Sequence, residues 1–230
     1  MATLLVVQHE DECPPGMLGR WWADQGARLD VRRPYAGDPL PADLGRHDAL
    51  VVLGGHMGAD DDAQHGWLTP TKALARAAAA GGTPALGICL GHQVFASALG
   101  GRVLRNPQGS QQGLLRVGWE EEAADDALLG DLATPRRGVH WNDDVVVDLP
   151  PGAVRLATAP GGEVQAARLA PSVWGVQWHP EADVDVVAGW DGTTRALDEI
   201  RTAGPELAAA WRPLAGAFLA LTRARERVGR

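Results

Sequence analysis

The sequence predicts an α/β fold: a mostly parallel central sheet carrying helices, with antiparallel strands added late in the chain. Three stretches predict it. The opening reads as strand, helix, strand. Asp48-Ala49-Leu50-Val51-Val52-Leu53 is a near-continuous apolar run stopped by Gly54-Gly55. Thr83 to Ile88 is a second such run, which breaks at a cysteine held between glycines and continues as a helix. Unbroken apolar runs suit parallel strands buried on both faces, and strands that alternate with helices suit a doubly wound sheet.

Taken in order, Met1 to Val7 has no basic segment ahead of its apolar run and meets polar Gln8-His9-Glu10-Asp11 at once, so a first strand over Thr3 to Gln8 is expected and not a signal peptide. Gly16 to Gly26 has helix length and ends in glycine, and Ala27 to Val31 is a second short strand. Thr69 to Ala80 reads as a helix closed by Gly81-Gly82. From Gly101 to Leu169 the chain is strand-rich. Gly113 to Trp119, Gly138 to Trp141, Asp144 to Val147, Val154 to Thr158 and Glu163 to Leu169 are separated by Gly, Pro and Asp turns, a spacing that suits antiparallel pieces. Val173 to Trp178 is a further apolar strand. Pro205 to Arg227 is an Ala/Leu/Arg-rich terminal helix expected to break near Pro213. With no internal repeat and no linker, one domain over residues 1–230 is expected.

Composition narrows the function classes. The formal charge is −8 over 230 residues, and no basic run is long enough to track a phosphate backbone, so nucleic acid is not an expected partner. No uninterrupted apolar stretch reaches membrane-spanning length, so no membrane partner is expected. Cys13 and Cys89 offer no disulfide framework and point to a reducing compartment, the cytoplasm. Neither a cofactor nor a metal is expected. Asp60-Asp61-Asp62 with His56 and His65 holds ligand-type residues, but consecutive aspartates point in different directions, and a water-facing acidic loop is the expectation; His9-Glu10-Asp11-Glu12-Cys13 reads the same way. Nine tryptophans are unusual; Trp21, Trp22, Trp190 and Trp211 are candidates for a partner surface, with core packing the default.

The chemistry centres on Cys89. Gly87-Ile88-Cys89-Leu90-Gly91 reads as a nucleophile elbow, a strained strand-to-helix turn in which the residues two before and two after the nucleophile must be very small. The following helix N-terminus favours a thiolate. A buried, inert cysteine is the competing reading. Against it stands His179-Pro180-Glu181 at the end of the strand Val173 to Trp178. A thiol nucleophile needs an imidazole to take and return a proton, and the imidazole needs a carboxylate to fix its tautomer. His179 and Glu181 fit those two roles, with Pro180 forcing the turn that aims them.

Together, Gly87 to Gln93 and Gly175 to Glu181 resemble the paired motifs of the class I glutamine amidotransferases, Gly-x-Cys-x-Gly-His-Gln and Gly-Val-Gln-x-His-Pro-Glu, and the chain looks similar to the free-standing branch related to the amidotransferase domain of GMP synthase. The resemblance covers nearly the whole chain. It implies a three-layer α/β fold with helices on both faces, attack of the cysteine on the γ-carboxamide of glutamine, release of ammonia, and a glutamyl thioester cleaved by water. It further implies that the N–H groups of Gly55 and Leu90 form the oxyanion hole. Gln93 and the backbone at Trp141 and Asn142 would hold the glutamine moiety. Two residues depart from the family pattern: His56 stands where proline is usual, and Trp178 where phenylalanine is common. The leading expectation is a Cys-His-Glu amidase whose ammonia goes to a synthetase on a separate chain. A γ-glutamyl hydrolase or peptidase acting on other γ-glutamyl amides, and a non-catalytic sensing or scaffolding domain, are the alternatives.

Overall fold

The computed structural model describes residues 1–190 and 194–228. In chain order the elements are β1 (Thr3–Val7), α1 (Gly16–Asp24), β2 (Arg28–Arg32), β3 (Ala49–Val52), α2 (Leu68–Gly81), β4 (Ala85–Ile88) and α3 (Leu90–Ala98). There follow β5 (Arg102–Arg105), β6 (Gln111–Arg116), β7 (Arg137–Asn142), β8 (Asp144–Asp148), β9 (Val154–Thr158), β10 (Val164–Ala170), β11 (Val173–Val176), α4 (Val184–Val187) and α5 (Thr194–Val228). The main sheet has seven strands in the order β2-β1-β3-β4-β11-β10-β9. Its first five are parallel to their neighbours, and β10 and β9 add on antiparallel. The expected antiparallel pieces therefore divide. Two extend the main sheet, while β6 with β7 and the unforeseen β5 with β8 form separate two-stranded ribbons.

Alternation along the parallel strands sends successive side chains to opposite faces and gives three layers. Leu4, Val6, Val51, Leu86 and Ile88 face α1 and α5, whereas Leu5, Val7, Leu50, Val52 and Ala85 face α2 and α3. Helix α5 corrects one expectation, since it runs unbroken through both Pro205 and Pro213. Its buried residues Ile200, Ala203, Leu207, Trp211, Leu214 and Phe218 form one apolar stripe at helical spacing, and burying that stripe outweighs the hydrogen bond that Pro213 removes. The Arg136 guanidinium donates to the Ala210 carbonyl beside that gap.

The aspartates at 60–62 differ from the expected water-facing loop. Lys72 of α2 reaches Asp60 at 2.8 Å and Asp62 at 2.5 Å, and Asp61 accepts from the Gly58 N–H at 2.7 Å. This loop is a structural clamp on α2. Among the described residues, no group of three or more His, Cys, Asp or Glu is placed to hold a metal ion, and no helix is long and apolar enough to cross a membrane.

Candidate active site at the carboxyl ends of the central strands

Three adjacent parallel strands converge on one point. Gly54 and Gly55 follow β3, Cys89 follows β4 and His179 follows β11, all at carboxyl ends, where open α/β sheets build their sites. Cys89 caps α3 with φ 51° and ψ −109° and is the one non-glycine residue with positive φ among those described. That is the strained elbow expected from the sequence. Its glycines are sterically required: a methyl group at Gly87 would overlap the Gly91 carbonyl, and one at Gly91 would overlap the Val52 carbonyl. The Cys89 N–H donates to the Val176 carbonyl at 2.8 Å, tying the elbow to β11.

The two motifs interlock behind the elbow. Gly175 pairs in register with Gly87, and its missing side chain makes room for the His92 ring. Complete burial lowers the His92 pKa to about 3 and keeps that ring neutral. Gln93 donates to the Gln177 amide oxygen at 3.2 Å and to the Asp144 carbonyl at 2.8 Å.

His179 and Glu181 are buried together, with His179 Nδ1 2.7 Å from Glu181 Oε1. Desolvation alone would lower the imidazole pKa. The charge of Glu181 and then that of Cys89, with the hydrogen bond to Glu181, overcome it and raise the value to about 10. Gly54 separates the partners closely: a Cβ there would lie 3.0 Å from His179 Cε1 and 3.7 Å from Cys89 Cβ. The His179 N–H donates to the Val139 carbonyl at 2.7 Å, which anchors β7 beside His179 and brings the Trp141 carbonyl 3.7 Å from Cys89 Sγ. On the other side, Gly16 at the start of α1 adopts φ +48° directly against the Glu181 carbonyl, which accepts from the Met17 N–H at 2.8 Å.

Trp178 has a structural reason. Its ring is fully buried against Gly138, whose Cβ would lie 2.7 Å from Trp178 Cγ, and it meets Trp119 and Trp211 at centroid distances of 5.7 and 5.0 Å. Glycine on β7 thus accepts the larger ring beside His179. His140 packs there as well, its Nε2 accepting from the Gln165 amide and its Nδ1 donating to the Gly138 carbonyl, both at 3.2 Å. Burial lowers its pKa to about 4.

A cavity of about 560 Å³ opens over this point, lined among others by Cys89, Gly55, Gln93, Trp141, Asn142 and His179. Hence all the residues expected at the site line the cavity except Leu90, which adjoins Cys89 with its side chain buried beneath Gly55, and Glu181, which lies behind His179. Neither the Gly55 nor the Leu90 N–H donates to a hydrogen bond among the described residues. Asn142 is buried and donates to the Asp144 carbonyl at 3.2 Å, leaving its Oδ1 without a partner.

The segment from His9 to Cys13, expected to face water, is instead part of the site. His9 is buried and accepts from the Trp67 indole at 3.1 Å. Glu10, Glu12 and Cys13 line the cavity; Cys13 donates to Glu10 Oε1 at 3.1 Å, and the Glu10 carboxylate meets the His56 ring on the glycine turn. Burial, and then the negative charge of Glu10, push the Cys13 thiol far up. The only signal in the sequence was position, since the loop after a parallel strand next to β3 must lie at the same edge. Of the tryptophans considered for a partner surface, Trp21, Trp22 and Trp211 are core residues, whereas Trp190 is half-buried against His179.

Comparisons with known proteins bear on the family and the fold. The family described as Glutamine amidotransferase class-I matches residues 23–186. One of the subunits of the glutamine-hydrolysing GMP synthase from Saccharolobus solfataricus is 33% identical over 159 residues, covering 68% of this chain and 77% of that protein. A glutamine amidotransferase-like protein of Salmonella typhimurium is 29% identical over 186 residues, or 80% of this chain and 77% of its own length. A glutamine amidotransferase structure from Thermotoga maritima superimposes with a TM-score of 0.85 at 23% identity, covering 94% of this chain and 97% of that one; the fold is shared. On the family match and the Saccharolobus relative, the chain belongs to the class I glutamine amidotransferases.

Proposed function

We propose that this chain is a Cys-His-Glu amidase that hydrolyses the γ-carboxamide of glutamine and supplies the ammonia to a synthetase on a separate chain. The observation that carries the reading is the convergence of the Cys89 elbow, the buried His179–Glu181 pair and the free N–H groups of Gly55 and Leu90 at the ends of three neighbouring strands. Cys89 Sγ attacks the γ-carbonyl carbon while Gly55 and Leu90 donate to the oxyanion. His179 returns the proton to the departing nitrogen, and ammonia leaves behind a glutamyl thioester. Water, deprotonated by His179, then attacks the thioester and releases glutamate. Glu181 fixes the tautomer by accepting from Nδ1, and stabilises the imidazolium. Gln93, Trp141 and Asn142 hold the glutamyl moiety, and the reaction as written needs no cofactor.

A separate partner is supported by relatives that are themselves single subunits of GMP synthases, from Saccharolobus solfataricus and Halobacterium salinarum. The two free thiols suit the cytoplasm as the compartment, and a single domain suits the one continuous main sheet. One observation favours a second reading: a cavity of about 560 Å³ is roomier than glutamine needs, as a γ-glutamyl hydrolase accepting a larger amine would require. Incubating the purified chain with glutamine and with a panel of γ-glutamyl amides, and measuring glutamate and free amine, separates the two. Glutamine turnover supports the amidase, whereas rapid cleavage of a γ-glutamyl peptide with glutamine ignored supports the hydrolase.

A further inference from the structure

Trp190, in the turn after α4, is built into the site by three contacts. Its ring lies on the His179 imidazole with centroids 4.5 Å apart and planes at 51°. It also meets the Trp141 ring at 5.8 Å, and Trp141 carries the carbonyl that Cys89 Sγ approaches. Its indole N–H donates to the Glu12 carbonyl at 2.9 Å, fastening the ring to the loop that also carries Glu10 and Cys13. Trp190 itself lines the cavity.

We propose that Trp190 is a positioning residue for His179, whose aromatic face sets the tilt of the imidazole and favours the imidazolium that forms during proton transfer. This inference rests on the amidase reading. Glu181 holds the imidazole by one nitrogen, and Nε2 has no hydrogen-bond partner, so packing sets the tilt of the ring about that bond, and the indole is the aromatic face that packs on it. A cation within about 6 Å of an indole centroid is attracted by the negative face of the ring, and more strongly in a desolvated site. The other groups facing His179 are the Glu181 carboxylate, the Cys89 sulfur and the His140 imidazole of β7, with Cys13 beyond Gly54. Glu181 and Cys89 attract the imidazolium and His140 opposes it; among the described residues, Trp190 presents the aromatic face that meets it at contact distance.

The test replaces the ring while keeping bulk. In Trp190→Leu the ¹⁵N resonances of the His179 imidazole should titrate about 0.5–1.5 pH units lower than in the parent, because loss of a face that favours the charged form lowers the pKa. Turnover of glutamine should fall with KM little changed. Trp190→Phe lacks the indole donor but keeps a ring, and should titrate like the parent and retain most turnover. Should Trp190→Leu prove unstable by thermal melt, Trp190→Met supplies a second non-aromatic side chain of similar reach. A parental titration in the leucine or methionine variant, or a phenylalanine variant as impaired as leucine, overturns the inference. Labelling of parental Cys89 by a glutamine-like chloroketone tests the amidase reading separately, and its failure leaves the titration result standing on its own.

Discussion

Cys89 and Cys13 open onto one cavity, yet their surroundings assign them opposite chemistry. Both are buried, but Cys89 sits at a helix N-terminus beside His179, whereas Cys13 donates to Glu10, whose charge adds to burial in holding it as a thiol. A glutamine-like electrophile should therefore label Cys89 and spare Cys13, as read by peptide mass spectrometry, and Cys89→Ala should abolish hydrolysis with the melting temperature unchanged. Label on Cys13 would contradict the assignment. Within the remaining pair, His179→Ala should cost more than Glu181→Ala, because the imidazole moves the proton and the carboxylate only orients it. General acid–base help is worth ~10²–10⁴-fold, so steady-state assays should find residual activity in the glutamate variant. The raised His179 pKa sets the sign of the pH response: the charges of Glu181 and Cys89 hold the imidazolium above its usual range, so donation to the departing amine should persist through neutral pH and be lost as the pH rises on the alkaline side.

At the scale of elements, Gly138 of β7 and Trp178 at the end of β11 are complementary in volume. Gly138→Ala should destabilise by roughly 1–3 kcal/mol through overpacking, and Trp178→Phe by a comparable amount through the space it leaves. Combining them should cost less than the sum of the single changes in thermal unfolding, since the smaller ring makes room for the new methyl. Strict additivity would show that the two do not share one space. Much of this level was legible in sequence. The elbow, the apolar central strands and the His-Pro-Glu turn carry strong local signals, because only glycine fits beside Cys89 and only unbroken apolar runs suit a doubly buried strand. Helix α5 departs from expectation at Pro213, where tertiary burial of one face overrides local propensity. The contributions of Glu10, Cys13 and Trp190 were not legible. The loop's position after a strand beside β3 places it at the right end of the sheet, but which of its side chains turn into the cavity, and that Trp190 meets His179, depend on long-range packing that neither an acidic loop nor a lone tryptophan announces.

At the scale of the whole molecule, the site lies over the carboxyl ends of the central strands, and the turn bearing Gly55 is tethered through His56 to Glu10 where the family pattern has a rigid proline. A tether of this kind permits an oxyanion donor to be out of place until a partner docks. The isolated chain should then hydrolyse glutamine slowly and be stimulated by its synthetase, by up to roughly 10²–10³-fold, the worth of one such donor. The central claim, that Cys89 carries the glutamyl group through the reaction, is tested most directly by intact-mass spectrometry of the chain quenched in acid during turnover with glutamine. The account predicts a glutamyl adduct on Cys89, enriched in Glu181→Ala, where proton transfer from the hydrolytic water to His179 is slowed, and absent in Cys89→Ala. Glutamate formation by the Cys89→Ala variant at the parental rate, or an adduct mapped to another residue, would contradict it.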